Sequence, residues 1–93
     1  MLGLMQNWPL TVDKILDHAN NWHGDREIVS RSVEGPIVRS SYGEVHTRAK
    51  KLSNVLKALG VVPGDRVATL AWNTARHIEA WYGIMGIGAV CTP

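Results

Sequence analysis

The stretch RVATLAWNTARHIEAWYGIMGIGAVCTP, residues 66–93, decides the fold. Its first seven residues are nearly continuously apolar, which is typical of a strand that a parallel sheet buries on both faces. Asn73 or Thr74 can cap a following helix, and AVCTP then resumes as a strand. A strand, a helix and a second strand in this short space predict a right-handed βαβ unit at residues 66–93. We therefore expect an α/β fold.

Three glycines in GIMGIGAV, residues 83–90, could belong to a phosphate-binding loop. The dinucleotide-binding fingerprint is G-x-G-x-x-G, placed after a strand and at the start of a helix. Here the spacing is G-x-x-G-x-G, and the glycines fall at the end of a helix, where the helix dipole disfavours a phosphate. We expect instead that Gly83 and Gly86 let the helix lie close to the sheet and that Gly88 ends it.

Upstream, the pattern predicts a helix and a hairpin. Thr11 can cap a first helix whose apolar residues follow helical spacing as far as Trp22, and Gly24 can end it. The segments EIVSRSV and IVRS predict two short strands joined by a turn at residues 34–36. We expect Trp22, Trp72 and Trp81 to lie in the core.

The clearest helix signal is the capping box SYGE, residues 41–44. The Ser41 oxygen is expected to accept the Glu44 amide, and Gly60 is expected to end the helix in a left-handed conformation. The basic run at residues 48–51 could form a nucleic-acid patch. Its charges lie opposite the apolar stripe of this helix, which favours a solvated face.

Composition excludes several classes of function. The 93 residues carry a formal net charge of +2, too little to indicate binding to nucleic acid or to a membrane surface. The longest charge-free apolar run, residues 80–91, is far shorter than the ~20 residues of a membrane span. The first ten residues lack the basic region of a secretory signal. The single cysteine, Cys91, fits a reducing compartment, so we expect a cytoplasmic protein.

The best position for a ligand is WNTAR, residues 72–76, where a strand ends and a helix begins. The first amides of that helix, at residues 74–76, would be free donors. An Asn-Thr pair before a helix is more often only a cap, and we expect Asn73 to act as one.

Metal and nucleophile signals are weak. His18 and His23 are five residues apart, and His77 and Glu79 are two apart, so neither pair shares a helix face as metal ligands must. Cys91 has no second cysteine nearby and is expected to be inert. The residues alone therefore assign no catalytic, cofactor-binding or metal-ligating role.

Residues 41–93 closely resemble the early part of adenylate-forming acyl-CoA synthetases. The matching segments are Ser41–Glu44, Arg48–Ala49, Leu52, Leu56, Gly60–Val61, Pro63–Ala68 and Gly88–Val90. Trp72-Asn73 followed by His77-Ile78-Glu79 is similar to the branch acting on medium- and long-chain fatty acids and on methylmercaptopropionate. The earlier segment TVDKILDHANNWHGDREIVSRS also fits the first helix and strand of that branch.

The resemblance implies a two-step ligase. A carboxylic acid and Mg-ATP give acyl-adenylate and pyrophosphate, and coenzyme A then takes the acyl group as a thioester. The phosphate loop, the acidic metal ligand and the mobile lysine of the family have no counterpart in these residues. Residues 1–93 are thus expected to be one incomplete domain, part of the large N-terminal domain of such an enzyme and inactive alone.

Partners follow from the same resemblance. The expected partners are the remainder of the enzyme and, through a homodimer or other self-association, a second copy. Central strands without neighbours should leave an open apolar face that includes Ile84, Ile87 and Val90. The alternative is a stand-alone small α/β binding or interaction module without ligase activity.

Overall fold

Helices and strands alternate along the chain in the computed structural model, which describes residues 3, 6–32 and 34–92. In chain order the elements are α1 (Asp13–His23), β1 (Glu27–Arg31), β2 (Ile37–Ser41), α2 (Tyr42–Ala58), β3 (Arg66–Ala68), α3 (Ala75–Met85) and β4 (Val90–Thr92). This order confirms the predicted α/β class.

The strands form two separate pairs. β1 and β2 are an antiparallel hairpin in which Glu27 lies opposite Ser41, as the turn at residues 34–36 predicted. β3 and β4 are parallel, with Arg66 opposite Val90, and α3 connects them. This pairing confirms the predicted βαβ arrangement, although its last residue, Pro93, lies outside the described residues.

The predicted burial of β3 on both faces is wrong. The paired strand ends at Ala68, and beyond it Leu70 and Trp72 are 103% and 73% exposed. α3 packs beside β4, and among the described residues no further strand flanks this pair. A strand sequence suited to the middle of a sheet thus lies in a sheet of two strands.

The core lies around α2. Val45 is completely buried, and Leu16 of α1 and Ala49 pack with it. Ile28 of the hairpin and two residues of α3, Ile78 and Tyr82, close this cluster. Since α1, β2 and α3 all contact α2, the capping box that starts α2 positions the centre of the fold.

Gly83 and Gly86 were predicted to let α3 lie close to the sheet, but both face α2 instead. A Cβ atom at Gly83 would lie 2.9 Å from Leu52 Cδ2 and 3.1 Å from the Ala49 carbonyl oxygen. The two helices therefore cross too closely for a side chain at this position. Gly88 has a φ of +79°, and its amide donates to the Met85 carbonyl at 3.0 Å, so it does close the helix-to-strand connection.

Helix ends agree with the prediction for both ends of α2 and for Gly24, the C-cap of α1, and the N-cap of α3 is one of its two predicted candidates. Ser41 Oγ accepts the Glu44 amide at 3.2 Å, and Gly60 has a φ of +93°. The N-cap of α1 is Val12 instead of Thr11. The N-cap of α3 is Thr74 instead of Asn73, and the Thr74 side chain makes no capping hydrogen bond.

Several large apolar residues lie where the sequence did not predict them. Trp22 at the end of α1 and Trp72 between β3 and α3 are both exposed. Trp81 is about one third exposed. Ile84 is only 2% exposed, which corrects its assignment to an open apolar face, whereas Val90 of that set is indeed exposed. No helix of the described ranges is both long and apolar enough to cross a membrane.

Candidate functional site

α3 begins at Ala75, within the segment at residues 72–76 that was predicted to start a helix, and Trp72 and Asn73 before it are exposed. The backbone of Thr74 is extended, and its carbonyl accepts the amides of His77 and Ile78 at 3.0 and 3.3 Å. The amides of Thr74, Ala75 and Arg76 have no acceptor within the helix, as in the first turn of any α-helix. These three donors carry the positive end of the helix dipole.

A polar cleft of about 510 Å³ lies between this helix end, the hairpin and α2. Its ionisable and hydroxyl lining includes Arg39, Ser40, Glu44, Arg48, Arg76 and Glu79. We refer to it below as the polar cleft. The hairpin contributes one wall, so the site depends on tertiary packing between segments distant in the sequence.

Glu79 joins two arginines at the bottom of this arrangement. Its carboxylate is buried, accepts Arg48 Nε at 3.0 Å and lies 3.5 Å from Arg76 Nη1. One carboxylate between two guanidinium groups leaves the trio with a net charge of +1. Arg48 therefore crosslinks α2 to α3, whereas the sequence had placed it on a solvated basic face.

The other side of the α3 N-terminus forms a small cavity of about 180 Å³, lined by His77 together with Asn73, Thr74 and Ala75. His77 is buried, its Nε2 lies 3.0 Å from Thr69 Oγ1, and its ring packs against Trp81 with centroids 4.6 Å apart. We call this the small cavity. Thr74 and Ala75 line both it and the polar cleft.

The residues considered as metal ligands are placed as follows. The rings of His18 and His23 contact each other edge to face at a centroid separation of 5.8 Å. His77 and Glu79 have the separate partners described above. Within the described residues, no three His, Cys, Asp or Glu side chains come together as a metal site. Cys91 is a partly buried free thiol in β4.

Sequence reasoning missed the long-range polar pairs. Arg48 and Glu79 are 31 residues apart, and His46, whose Nε2 lies 2.9 Å from Asp17 Oδ1, is 29 residues from its partner. Neither pair has a spacing signal, since each joins different helices. The one available hint was an acidic residue on the apolar side of α3, at position 79.

Chemically, the site gathers donors: three backbone amides, guanidinium groups and hydroxyls around one helix end. Such a set suits the binding of an anionic group.

Residues 16–93 match the family model described as AMP-binding enzyme. A 3-methylmercaptopropionyl-CoA ligase from Ruegeria lacuscaerulensis is 43% identical over 98% of the chain and 17% of its own length. A medium-chain-fatty-acid–CoA ligase from Ectopseudomonas oleovorans is 44% identical over the same shares. The chain thus spans about a sixth of the length of these relatives.

Among solved structures, the N-terminal subdomain of NpsA from Klebsiella oxytoca superimposes with a TM-score of 0.75. The superposition covers 87% of this chain and 20% of that chain at 23% identity, which shows the shared fold alone. The superposition agrees with the predicted α/β fold.

Proposed function

Because the chain belongs to the AMP-binding enzyme family, as the resemblance of residues 41–93 predicted, we propose that it forms the N-terminal structural segment of an acyl-CoA ligase. The enzyme would activate a carboxylic acid, in this proposal a fatty acid, with Mg-ATP to give acyl-AMP and pyrophosphate. The coenzyme A thiol would then attack the acyl carbonyl and release AMP. The observation that carries this proposal is the 43–44% identity to two CoA ligases across 98% of the chain.

The role of the segment itself is to build a scaffold. The close crossing at Gly83 and the Glu79 bridge fix α3 against α2, and α3 in turn positions β3 beside β4. Parallel strands of this kind are normally completed by further strands and helices. We assign that completion, and the catalytic groups, to the remainder of the enzyme.

We assign the Mg-ATP site and the coenzyme A site to that remainder as well. We place the enzyme in the cytoplasm, in keeping with its single free thiol.

A chimera tests the proposal. The chain replaces the matching segment of the Ectopseudomonas medium-chain ligase, and pyrophosphate release is measured with ATP, coenzyme A and a medium-chain fatty acid. If the chain is the same scaffold, turnover stays within about tenfold of the parent rate, a change of roughly 1.4 kcal/mol in the barrier. The chain alone should release no pyrophosphate.

A second chimera tests whether the parent ligase stays active with any segment inserted at this place. It carries Gly83→Val, which places a side chain where a Cβ already approaches Leu52 and the Ala49 carbonyl. This chimera should lose activity together with thermal stability. A soluble, folded first chimera without turnover would contradict the proposed function, and so would release of pyrophosphate by the chain alone.

A further inference from the structure

We propose that His77 is a positioning residue for the ligase reaction, and that it holds the segment between β3 and α3 in place at the carboxyl ends of the two parallel strands. The reaction in this inference is that of the proposed function. The positioning itself rests on contacts within this chain.

Thr69 joins β3, β4 and α3. It follows β3 directly, and its amide donates to the Thr92 carbonyl at the end of β4 at 2.9 Å. Its hydroxyl oxygen lies 3.0 Å from His77 Nε2, and the two share a hydrogen bond in either tautomer of the ring, because a hydroxyl both donates and accepts. The His77 amide donates to the Thr74 carbonyl at 3.0 Å. His77 therefore holds both ends of the segment at residues 70–73.

The segment at residues 70–73 lies where open α/β sheets bind their ligands, outside the carboxyl ends of the strands. All four of its residues are exposed. It belongs to neither neighbouring element, since β3 ends at Ala68 and α3 begins at Ala75. Its position depends on the groups that hold its two ends, and His77 bonds at both.

Stability alone does not account for a histidine at position 77. The residue is 9% exposed, and its Nδ1 is one of two buried side-chain polar atoms without a hydrogen-bond partner in the described part of the chain. An apolar side chain of similar size would avoid the cost of an unpaired buried atom. Local features that are unfavourable for folding are typical of functional sites. Because Nδ1 is buried, we assign His77 to positioning and not to contact with a substrate.

His46 provides the matched comparison. Its ring is also largely buried and makes one hydrogen bond, in which Nε2 lies 2.9 Å from Asp17 Oδ1. This bond joins α1 to α2 and involves neither β3 nor β4. We therefore expect the loss of the His46 ring to affect stability and not turnover.

The test measures kcat, KM and the thermal midpoint of the first chimera and its variants. His77→Leu should lower kcat and kcat/KM together by about tenfold, because a small displacement of positioning groups is costly. It should not lower the thermal midpoint, since the unpaired nitrogen is removed with the ring. The control, His46→Leu, should lower the thermal midpoint and leave kcat unchanged.

Two further variants test the bond to Thr69. Thr69→Val removes only the hydroxyl of a half-buried residue and should reproduce the loss of turnover, even if His77→Leu fails to fold. His77→Gln should restore most of the turnover, because a carboxamide can donate to the Thr69 hydroxyl or accept from it. A merely structural role of His77 would not give this pattern.

Hydrogen exchange of the 93-residue chain separates this inference from the ligase proposal. In His77→Leu the Thr69 amide should exchange about tenfold faster than in the parent chain, while the amide of Ala49, in the core, keeps its rate. A folded parent chimera without turnover contradicts the ligase proposal, and the exchange rate of Thr69 then decides whether His77 holds the segment.

Three results would overturn the inference. In an active chimera, one is an unchanged kcat in His77→Leu and Thr69→Val. Another is a loss of turnover that His77→Gln does not restore, since that loss would not arise from the bond to Thr69. The third is a Thr69 amide that exchanges in His77→Leu at the parent rate.

Discussion

Glu79 is a charged residue with almost no access to solvent, held between two arginines of which the nearer belongs to another helix. Replacing it by Gln keeps the shape of the side chain but leaves two guanidinium groups facing a neutral amide. Both arginines are half exposed or more, so water offsets part of the loss. We expect Glu79→Gln to lower the free energy of unfolding by roughly 1–2 kcal/mol, measured by urea denaturation.

Glu27→Gln is the matched control. Glu27 pairs with Arg39 at the same distance of 3.0 Å, but both side chains are about 60% exposed. An exposed pair of this kind contributes little, so its loss should change stability by no more than about 0.5 kcal/mol. If the two substitutions lower the free energy of unfolding equally, burial of Glu79 does not strengthen its interactions with the arginines.

At the scale of single residues, the sequence predicted local features and missed distant ones. Ser41 could be assigned its bond to Glu44 because the two residues are three apart. Arg48 was assigned to solvent because its partner, Glu79, comes from a helix 31 residues away. Trp22 was assigned to the core from helical spacing alone, yet it lies on the side of α1 that no described element covers.

Helix caps provide the prediction at the scale of elements. Ser41 and Thr74 both occupy N-cap positions with extended backbone, but only the Ser41 side chain accepts a hydrogen bond from its helix. Ser41→Ala should therefore cost about 1 kcal/mol of stability, whereas Thr74→Ala should cost no more than a few tenths. Thermal denaturation of both variants measures the difference. A loss at Thr74 as large as that at Ser41 would contradict the observed geometry.

Elements were predictable where their signal is local. α2 begins at the capping box and ends just before Gly60, which has a positive φ. Its prediction is therefore confirmed at both ends. The strand at residues 66–72 was predicted too long. Its apolar run is typical of a strand that a complete sheet buries on both faces. In this chain pairing to β4 ends at Thr92, so β3 ends early.

Gly83 was assigned to the sheet, but it packs against α2. The sequence shows that a glycine allows close packing, but it does not show which element packs there.

The whole molecule exposes more surface than a completed domain of its size. A folded protein of 10.2 kDa has an accessible area of about 5,300 Å² from the usual scaling with mass, whereas this chain has 7221 Å². Its radius of gyration is 15.1 Å, against about 12 Å for a compact domain of 93 residues. The exposed segment at residues 6–12, which precedes α1, and the two separate two-stranded sheets both contribute to the difference.

Part of this excess is apolar and lies beside the carboxyl end of β3. Leu70 and Trp72 extend into solvent there, and Val90, which lies opposite Arg66 at the start of the β3–β4 pair, is half exposed. Unpaired strand edges next to apolar side chains are association sites. We therefore expect the purified chain to self-associate at micromolar concentration, with the sedimentation coefficient rising with concentration.

The double variant Leu70→Lys/Trp72→Lys tests where this association occurs. Both side chains are exposed and outside the core, so the fold should survive while charge repulsion keeps the strand edges apart. Sedimentation should then show a smaller species than the parent chain. The control is Leu10→Lys, a fully exposed residue before α1, which should leave the association unchanged. A parent chain that sediments as one monomer with a cooperative thermal transition would favour the stand-alone module, since a closed unit has no reason to associate through this edge.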